Sequence, residues 1–335
     1  MAKVASSSAF PREIYKTGVT GYTEEYLVAK ARVGEHFLER PHRRKLCYFL
    51  DGDKSGEPLI CLHGGGEGKY NFLQKQPIPG VLMISVDRMG YGASDLFEPV
   101  NVYTFAHVAE DIAALADHLG LDQFVVCGFS IGSSWGMSLA LALPGRVRGL
   151  ALFGAMADTG HPKMTKATIK EVGKPPAVLD PVTGSCGCIL RGAFAGGVKS
   201  NKKFDFSEAF SRESTLPKCA KRWAAFKDDP FWVCSKVDSF LAFNRPEALL
   251  GDAYRSLCNP WPFDICNIKC PVNIFQGEGD YDMGSSNPAS PNFLKLCMPH
   301  AEYEKVEGCG HVLVTGPTEL FQSQVLKAIQ RMPKL

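Results

Sequence analysis

Short apolar runs alternate with stretches of helical periodicity along the first 155 residues. The run at 81–86 (VLMISV) is almost wholly apolar, as expected for a strand that is buried on both faces. Residues 103–119 instead place apolar side chains at helical spacing and are followed by Gly120, a common helix-capping residue. The same patterns predict strands at Leu46–Leu50, Leu59–Leu62, Phe124–Cys127 and Val147–Phe153, and a helix at Ser133–Leu143. Such alternation predicts an α/β fold, with a mainly parallel central sheet flanked by helices.

The alternation stops between about residues 156 and 262. Pro, Gly and Trp are scattered there through helical fragments, and no clear strand pattern is present. A stretch of this length is too long for a loop, so we predict a helical cap at 156–262, inserted after the sixth strand. Its place at the carboxyl side of the sheet would let it cover a site at the strand ends.

The pattern resumes after the predicted cap. The last part of the chain is expected to hold strands at Val272–Phe275 and Tyr303–Val306, and helices near Asn292–Cys297 and Glu319–Ile329. We therefore predict a core domain at 26–155 and 263–335, preceded by a flexible N-terminal tail at 1–25.

The charge balance limits the kinds of partner. Lys and Arg total 37 against 35 Asp and Glu among 335 residues, for a formal net charge of +2. A chain without a strong field of one sign is not expected to have nucleic acid as its main partner. The apolar runs are shorter than the ~18 residues that cross a bilayer, which predicts no membrane span. A homodimer is left open.

The twelve cysteines predict neither a disulfide framework nor a metal site. Their spacing is irregular, and the closest pair, Cys186 and Cys188, lacks the second pair or His cluster that a zinc pattern needs. We expect reduced thiols in the cytoplasm, with no metal and no cofactor. The start of the chain, Met1 to Arg12, is rich in Ser and Ala and weakly resembles a transit peptide, but it is short.

The segment Gly128-Phe129-Ser130-Ile131-Gly132 lies between a predicted strand and a predicted helix. In this context G-x-S-x-G predicts a nucleophile elbow, which exposes a serine at a tight turn. A side chain at Gly128 or Gly132 would collide with neighbouring backbone in such a turn. At the start of the helix the Ile131 amide is a candidate donor to an oxyanion.

A glycine-rich segment, His63-Gly64-Gly65-Gly66, directly follows the predicted strand at 59–62. Glycine lets a backbone approach a ligand closely and point its amides at it. The Gly65 amide is the candidate for a second oxyanion donor, with Gly66 as the alternative. We interpret His63 as a residue that braces this loop rather than as a catalytic base.

A serine hydroxyl needs a base to become a good nucleophile. His311, in a glycine-flanked loop after the last predicted strand, is the candidate base. Asp280, which follows the strand at 272–275, is the candidate carboxylate that orients the imidazole. Asp282 is the near rival for that role, and Asp158 is a more distant one.

The other histidines of interest have local explanations. His107 and His118 fall on the predicted helix at 103–119, whereas His161 and His300 lie near the cap and a helix end. We interpret all four as surface or capping groups.

Five motifs occur in a characteristic order. They are HGGG (63–66), DRMGYGASD (87–95), GFSIG (128–132), GEGD (277–280) and GCGH (308–311). Together they resemble the α/β-hydrolase superfamily, in the group with one large cap between strands six and seven, over residues 45–155 and 265–332. The order Ser130, Asp280, His311 is that of the superfamily's triads.

The resemblance implies a serine hydrolase that forms an acyl-enzyme. It implies that segment 87–95 is a structural loop, which Asp87 and Arg88 brace and in which Ser94 and Asp95 cap the following turn. Serine at position 130 argues against epoxide hydrolases and haloalkane dehalogenases, which have Asp there. Carboxylesterases, carbon–carbon bond hydrolases, proline iminopeptidases and thioesterases share these elements.

The resemblance thus implies hydrolysis of an ester-like carbonyl but does not name the substrate. Hormone-sensitive-lipase-type esterases have a similar HGGG, but their elbow is GDSAG and they lack the 87–95 loop type. Carbon–carbon bond hydrolysis, acyl transfer and aminopeptidase activity stay open, as does a weakly catalytic or non-catalytic ligand receptor on the same fold.

Aromatic residues are the candidates for lining the substrate pocket. Phe129 and Trp135 flank the elbow, and Trp223 and Trp232 belong to an aromatic cluster of the predicted cap. Such side chains suit a small, mostly apolar acyl or ring-bearing substrate. The alternative is that they pack the cap onto the core.

Overall fold

One mixed sheet of eight strands forms the centre of the structure. Its strands are β1 (His36–Arg40), β2 (Arg44–Gly52), β3 (Glu57–Leu62), β4 (Val81–Val86), β5 (Phe124–Phe129), β6 (Val147–Phe153), β7 (Val272–Gly277) and β8 (Glu302–Val306). The spatial order is β1-β2-β4-β3-β5-β6-β7-β8. The pairs β1/β2 and β2/β4 are antiparallel, and the other pairs are parallel. The predicted α/β-hydrolase fold class is confirmed.

This computed structural model describes residues 22–97, 103–158, 160–163, 166, 221, 229–241, 248, 251–252, 255–256, 260–280, 290–314 and 318–332. The helices in these ranges are α1 (Glu24–Val33), α2 (Phe105–His118), α3 (Ile131–Ala142), α4 (Pro230–Leu241), α5 (Ser290–Cys297) and α6 (Thr318–Gln330). Short 3₁₀ helices lie at Pro41–Arg43, Lys69–Phe72 and Ile265–Asn267. Each predicted strand lies within an observed one, and the predicted helix ends agree within two residues. No helix of this described part has the length and apolar character to cross a bilayer.

The sheet is buried on both faces because the apolar side chains on each face pack against helices. Val126 of β5 packs in a core cluster that includes Leu115 of α2 and Trp135 of α3. Its neighbour Val125 points to the other face, as successive strand residues do, and packs in a second cluster with Phe321 of α6. Such strands have almost continuous apolar sequences, which is why the pattern predicted them well.

The N-terminal elements β1 and α1 were not predicted. β1 is an edge strand whose burial does not alternate cleanly, and Phe37 on it is exposed, so it carries little sequence signal. α1 begins at Glu24, inside the predicted tail, and the Thr23 side chain accepts a hydrogen bond from the Tyr26 amide there. Residues 1–21 lie outside the described residues.

Most of the predicted cap at 156–262 also lies outside the described residues, and α4 is its longest described part. Asp238 of α4 accepts hydrogen bonds from the Tyr22 and Tyr26 hydroxyls and from the Lys30 ammonium, each at 2.5 Å. This carboxylate therefore joins α1, the first helix among the described residues, to a helix about two hundred positions later in the sequence.

A buried ion pair links the edge of the sheet to α2. Asp111 of α2 accepts hydrogen bonds from Arg40 at 2.7 Å and from Arg44 at 3.0 Å, and its side chain is almost wholly buried. Removing one partner of a buried pair leaves an uncompensated charge.

We expect Asp111→Ala to lower the free energy of unfolding by about 3–5 kcal/mol, measured by urea denaturation. The matched control is Asp117→Ala on the same helix, whose carboxylate pairs with Arg146 but is 71% exposed. It should cost less than about 1 kcal/mol. Equal effects of the two substitutions would contradict the buried-charge argument.

Candidate active site

Ser130 occupies the turn between β5 and α3 in a conformation that L-residues rarely adopt. Its backbone angles are φ 52° and ψ −124°, and its amide donates to the Phe153 carbonyl at 2.9 Å. A Cβ at Gly132 would lie 2.1 Å from the Leu62 carbonyl oxygen, and one at Gly128 would lie 2.7 Å from the Ser133 Cα. The predicted need for glycine at both positions is confirmed. Ile131 opens α3, so its amide is among those without a partner inside the helix.

The glycine-rich loop after β3 lies against this turn. A Cβ at Gly64 would be 3.2 Å from the Ser130 Cβ and 3.3 Å from the Phe129 ring. Gly66 has a positive φ of 72°. Gly65 and Gly66 both stay candidates for the second oxyanion donor.

His63 is fully buried and holds the loop in place. Its Nδ1 lies 2.8 Å from the Gly64 carbonyl oxygen, and its Nε2 accepts a hydrogen bond from the Arg88 amide at 3.1 Å. A neutral ring with the proton on Nδ1 satisfies both bonds. Burial, reinforced by the Arg88 guanidinium, holds the pKa of His63 well below its usual value. The predicted bracing role is confirmed.

The 87–95 loop is fixed by buried charges. Asp87 accepts hydrogen bonds from the backbone amide and the ammonium of Lys69, both at 2.7 Å. The Arg88 guanidinium donates to the His63 and Gly64 carbonyls at 3.0 Å and pairs with Asp252 at 2.5 Å. Both residues therefore brace the loop, as predicted.

Ser94 and Asp95 were predicted to cap the following turn, but residues 98–102 lie outside the described residues, and the bonds observed for both side chains run to earlier parts of the chain. The Ser94 hydroxyl accepts from the Cys47 amide and donates to the Asp87 carbonyl, both at 2.7 Å. The Asp95 carboxylate accepts from the Lys45 amide at 2.8 Å. Because Lys45 and Cys47 belong to β2, these two side chains tie the loop backward to the sheet.

Asp280 and His311 meet beyond the carboxyl ends of β7 and β8. The Asp280 Oδ1 lies 2.6 Å from the His311 Nδ1, and both side chains are buried. Gln276 donates a hydrogen bond to the other Asp280 oxygen. The imidazole packs on the Phe129 ring, with ring centroids 5.0 Å apart. Since Phe129 precedes Ser130, this contact places the imidazole beside the elbow.

Gly154, just after β6, completes this arrangement and was missed by the sequence analysis. Its φ is 54°, and a Cβ there would lie 3.0 Å from two atoms of the His311 ring and 3.4 Å from the Asp280 Oδ2. The absence of a side chain thus makes room for the imidazole. A single glycine after a strand gives no sequence signal that separates it from an ordinary turn.

The rival residues have other roles or lie outside the description. The Asp158 carboxylate accepts hydrogen bonds from the Gly160 amide at 2.9 Å and from the Trp261 amide at 3.2 Å, so it is already engaged by backbone amides. The His107 side chain closes the capping box of α2 with Thr104, and the His300 Nε2 lies 3.1 Å from the Cys270 carbonyl oxygen. Asp282 and Trp223 are outside the described residues.

The aromatic candidates divide into two groups. Phe129 lies at the site, against His311. Trp135 has no exposed surface and packs on Phe105 at 4.2 Å between ring centroids, so its position corresponds to the packing alternative rather than to a pocket lining. Trp232 is a buried residue of α4, whose amide donates to Asp229 at 2.9 Å.

A buried polar cluster that the sequence analysis missed supports the glycine-rich loop. The Glu67 carboxylate accepts a hydrogen bond from the Gly64 amide at 3.1 Å and another from the Asn71 side chain at 2.7 Å. Lys236 of α4, whose side chain is 3% exposed, pairs with Glu67 and donates to Asn71 at 2.7 Å. The predicted cap therefore contacts the loop through charged groups at this point.

The comparison with family models identifies the fold family. The model described as alpha/beta hydrolase fold matches residues 57–315, well over half of the chain. The chain therefore belongs to the α/β-hydrolase fold family.

Individual relatives are distant. Proline iminopeptidase from Neisseria gonorrhoeae is 27% identical over 229 residues, which are 66% of this chain and 67% of the relative. The 3-oxoadipate enol-lactonase 2 from Acinetobacter baylyi is 32% identical over 104 residues, 30% of this chain. The chain spans less than two fifths of the length of several curated relatives, 38% for the enol-lactonase.

The solved structure of the esterase RhEst1 from Rhodococcus sp. ECU1013 has a similar fold. It superposes with a TM-score of 0.60 at 19% sequence identity and covers 90% of this chain and 100% of its own. This likeness shows a shared fold.

The contact between Gly132 and β3 yields a stability prediction. We expect Gly132→Ala to lower the free energy of unfolding by at least about 2 kcal/mol, because the new methyl group would overlap the Leu62 carbonyl. Gly145→Ala is the control, since a Cβ at Gly145 has no atom within 4 Å, and it should change stability by less than about 0.5 kcal/mol. Chemical denaturation of both variants gives the values; a small loss for Gly132→Ala would contradict the geometry.

The pair of Glu67 and Lys236 can be tested by a double-mutant cycle with Glu67→Gln and Lys236→Met. Each single variant leaves the other member of the pair without its charged partner, so we expect a coupling energy of about 1–3 kcal/mol from urea unfolding. The exposed pair of Lys45 and Glu39 is the reference cycle and should give less than about 1 kcal/mol. Similar couplings in the two cycles would mean that burial adds nothing to the Glu67 pair.

Proposed function

We propose that the protein is a serine hydrolase that cleaves an ester-like carbonyl of a small, mostly apolar substrate. Ser130 is the nucleophile, His311 the general base and Asp280 the carboxylate that orients the imidazole. The observation that carries this proposal is the buried 2.6 Å contact between Asp280 and His311, beside a strained serine turn. Two side chains, from the loops that follow β7 and β8, are thus held together beside the turn that carries Ser130.

The contact fixes the direction of proton transfer. With its Nδ1–H donated to Asp280, the imidazole presents an unprotonated Nε2 as the base. His311 then accepts the Ser130 proton as the hydroxyl oxygen attacks the carbonyl carbon, and Asp280 stabilises the resulting imidazolium. Gln276 holds the second oxygen of Asp280, which keeps the carboxylate in this orientation.

The negative charge that develops on the carbonyl oxygen needs fixed donors. The amides of Ile131 and Gly65 take this role in the proposal, and the helix dipole of α3 adds to the first. Support comes from the position of the glycine-rich loop against Ser130. The loop cannot drift easily, since His63, Arg88 and Glu67 all hold it.

Collapse of the tetrahedral intermediate expels the leaving group, which receives the proton from His311. Ser130 is left as an acyl ester. A water molecule then gives its proton to His311 and attacks the acyl carbon, releasing the acid and restoring the serine hydroxyl. The Phe129 ring lies beside the imidazole and gives the site an apolar wall.

Release of an N-terminal residue from a peptide is the second candidate, favoured by the match to the Neisseria proline iminopeptidase. Such a reaction needs a group that recognises a substrate ammonium. Glu67 is the buried carboxylate on the glycine-rich loop, but it is already paired with Lys236. Among the described residues this pairing favours an uncharged ester over an aminoacyl substrate.

The test is turnover of p-nitrophenyl esters of increasing acyl length, together with labelling by a fluorophosphonate. We expect Ser130→Ala to lower kcat by at least about a thousandfold and to abolish the label, with an unchanged unfolding transition. His311→Ala should act similarly. Ser323→Ala, at an exposed serine of α6, is the matched control and should keep full activity and labelling.

The outcomes separate the alternatives. Activity retained in Ser130→Ala would refute the nucleophile assignment. Hydrolysis of proline amides but not of esters would favour the aminopeptidase. Tight binding of an apolar ligand without turnover or labelling would favour a receptor.

A further inference from the structure

Three soft or borderline metal-binding side chains converge outside the proposed active site. The ligating atoms of His161, Cys266 and Cys297 all lie within 4.8 Å of one another. Across the part of the chain that the structure describes, this is the one group of three such side chains. His161 follows β6, Cys266 lies on the 3₁₀ helix before β7, and Cys297 is the last residue of α5.

Local structure aims these side chains at one another. The Asp264 carboxylate caps the 3₁₀ helix by accepting a hydrogen bond from the Cys266 amide at 2.8 Å. The same oxygen lies 3.6 Å from the His161 Nε2. The His161 ring packs edge-on against Phe293 of α5, with ring centroids 5.3 Å apart. The ring is thus held between the two segments that supply the cysteines.

The donor set fits zinc. Two thiolates and an imidazole are common ligands of Zn²⁺, with bonds of about 2.3 Å to sulfur and about 2.0 Å to nitrogen. Ligand atoms of such a tetrahedron are about 3.3–3.8 Å apart, so the observed cluster needs only a small contraction. The Asp264 carboxylate lies beside His161 but outside this group of three, so a water molecule would complete the tetrahedron.

Charge supports the same assignment. The Lys163 ammonium lies 2.9 Å from the Cys266 sulfur and adds a positive charge at the edge of the cluster. One Zn²⁺, two thiolates, the Asp264 carboxylate and the Lys163 ammonium together carry no net charge. A half-buried site with this balance avoids the cost of an uncompensated charge.

We propose that His161, Cys266 and Cys297 form a zinc site at the base of the predicted cap. His161 and Cys266 lie on the segments that enter and leave the predicted cap at 156–262. The metal would join these two segments to α5. The sequence analysis expected no metal because the ligands are far apart along the chain and match no short zinc pattern.

The test uses the full-length protein, purified under reducing conditions. Cobalt(II) titration should give a sulfur-to-cobalt charge-transfer band and the intense visible bands of a tetrahedral site, saturating at about one equivalent. Zinc should displace the cobalt and should raise the Tm by a few degrees. Elemental analysis after desalting should find about one zinc per chain.

Cys266→Ser and Cys297→Ser should each weaken zinc binding by at least about tenfold and remove part of the charge-transfer intensity. Cys270→Ser is the matched control, since Cys270 is a half-buried thiol of the same segment outside the cluster. It should bind metal as the parent protein does. His161→Ala is the further variant if either serine substitution prevents folding, and it should lose the tetrahedral cobalt spectrum.

Absence of the cobalt spectrum and of bound zinc in the fully reduced protein would overturn the proposal. Equal binding by Cys270→Ser, Cys266→Ser and Cys297→Ser would overturn it too, because the metal would then lie elsewhere. Formation of a disulfide between Cys266 and Cys297 in air, without zinc binding after reduction, would assign the pair to thiol chemistry instead.

Discussion

The close approach of β3 to the turn at Ser130 is the contact on which the rest of the site depends. Because Gly132 has no side chain, the first turn of α3 can lie directly against the Leu62 carbonyl. The loop that continues from Leu62 is thereby delivered to the serine. The unusual backbone of Ser130, which costs about 1–3 kcal/mol, persists because β3, β5 and α3 are all buried around it.

Parallel strands end at one edge of the sheet, and the site residues come from those ends. The glycine-rich loop follows β3, Ser130 follows β5, Gly154 follows β6, and the carboxylate and imidazole follow β7 and β8. Residues that never touch the reacting atoms hold these loops. Arg88 bonds to His63, Asp87 pairs with Lys69, and Glu67 pairs with Lys236. The positions of the loops thus depend on buried charged groups, each of which has a partner of opposite charge.

Sequence alone predicted the elements with strong periodicity and the residues inside compact motifs. Ser130, Asp280 and His311 could be chosen because each stands in a glycine-marked loop after a buried strand. Gly154, Gln276 and Glu67 could not, since their importance arises from contacts between distant segments. The same reason hid the cluster of His161, Cys266 and Cys297. Trp135 was misleading because helical spacing from the elbow does not tell which way a side chain faces.

The joint between α1 and α4 has a consequence for how the chain reaches its native state. Tyr22, Tyr26 and Lys30 leave the ribosome long before Asp238, their common partner, has been made. The apolar side of α1 packs with residues of β2, β3 and β4, which follow it closely along the chain, whereas the contacts to Asp238 close a long loop and are therefore expected to form later. Packing of α1 against the sheet can therefore precede its attachment to α4, and the carboxylate of Asp238 secures a helix that is already in place.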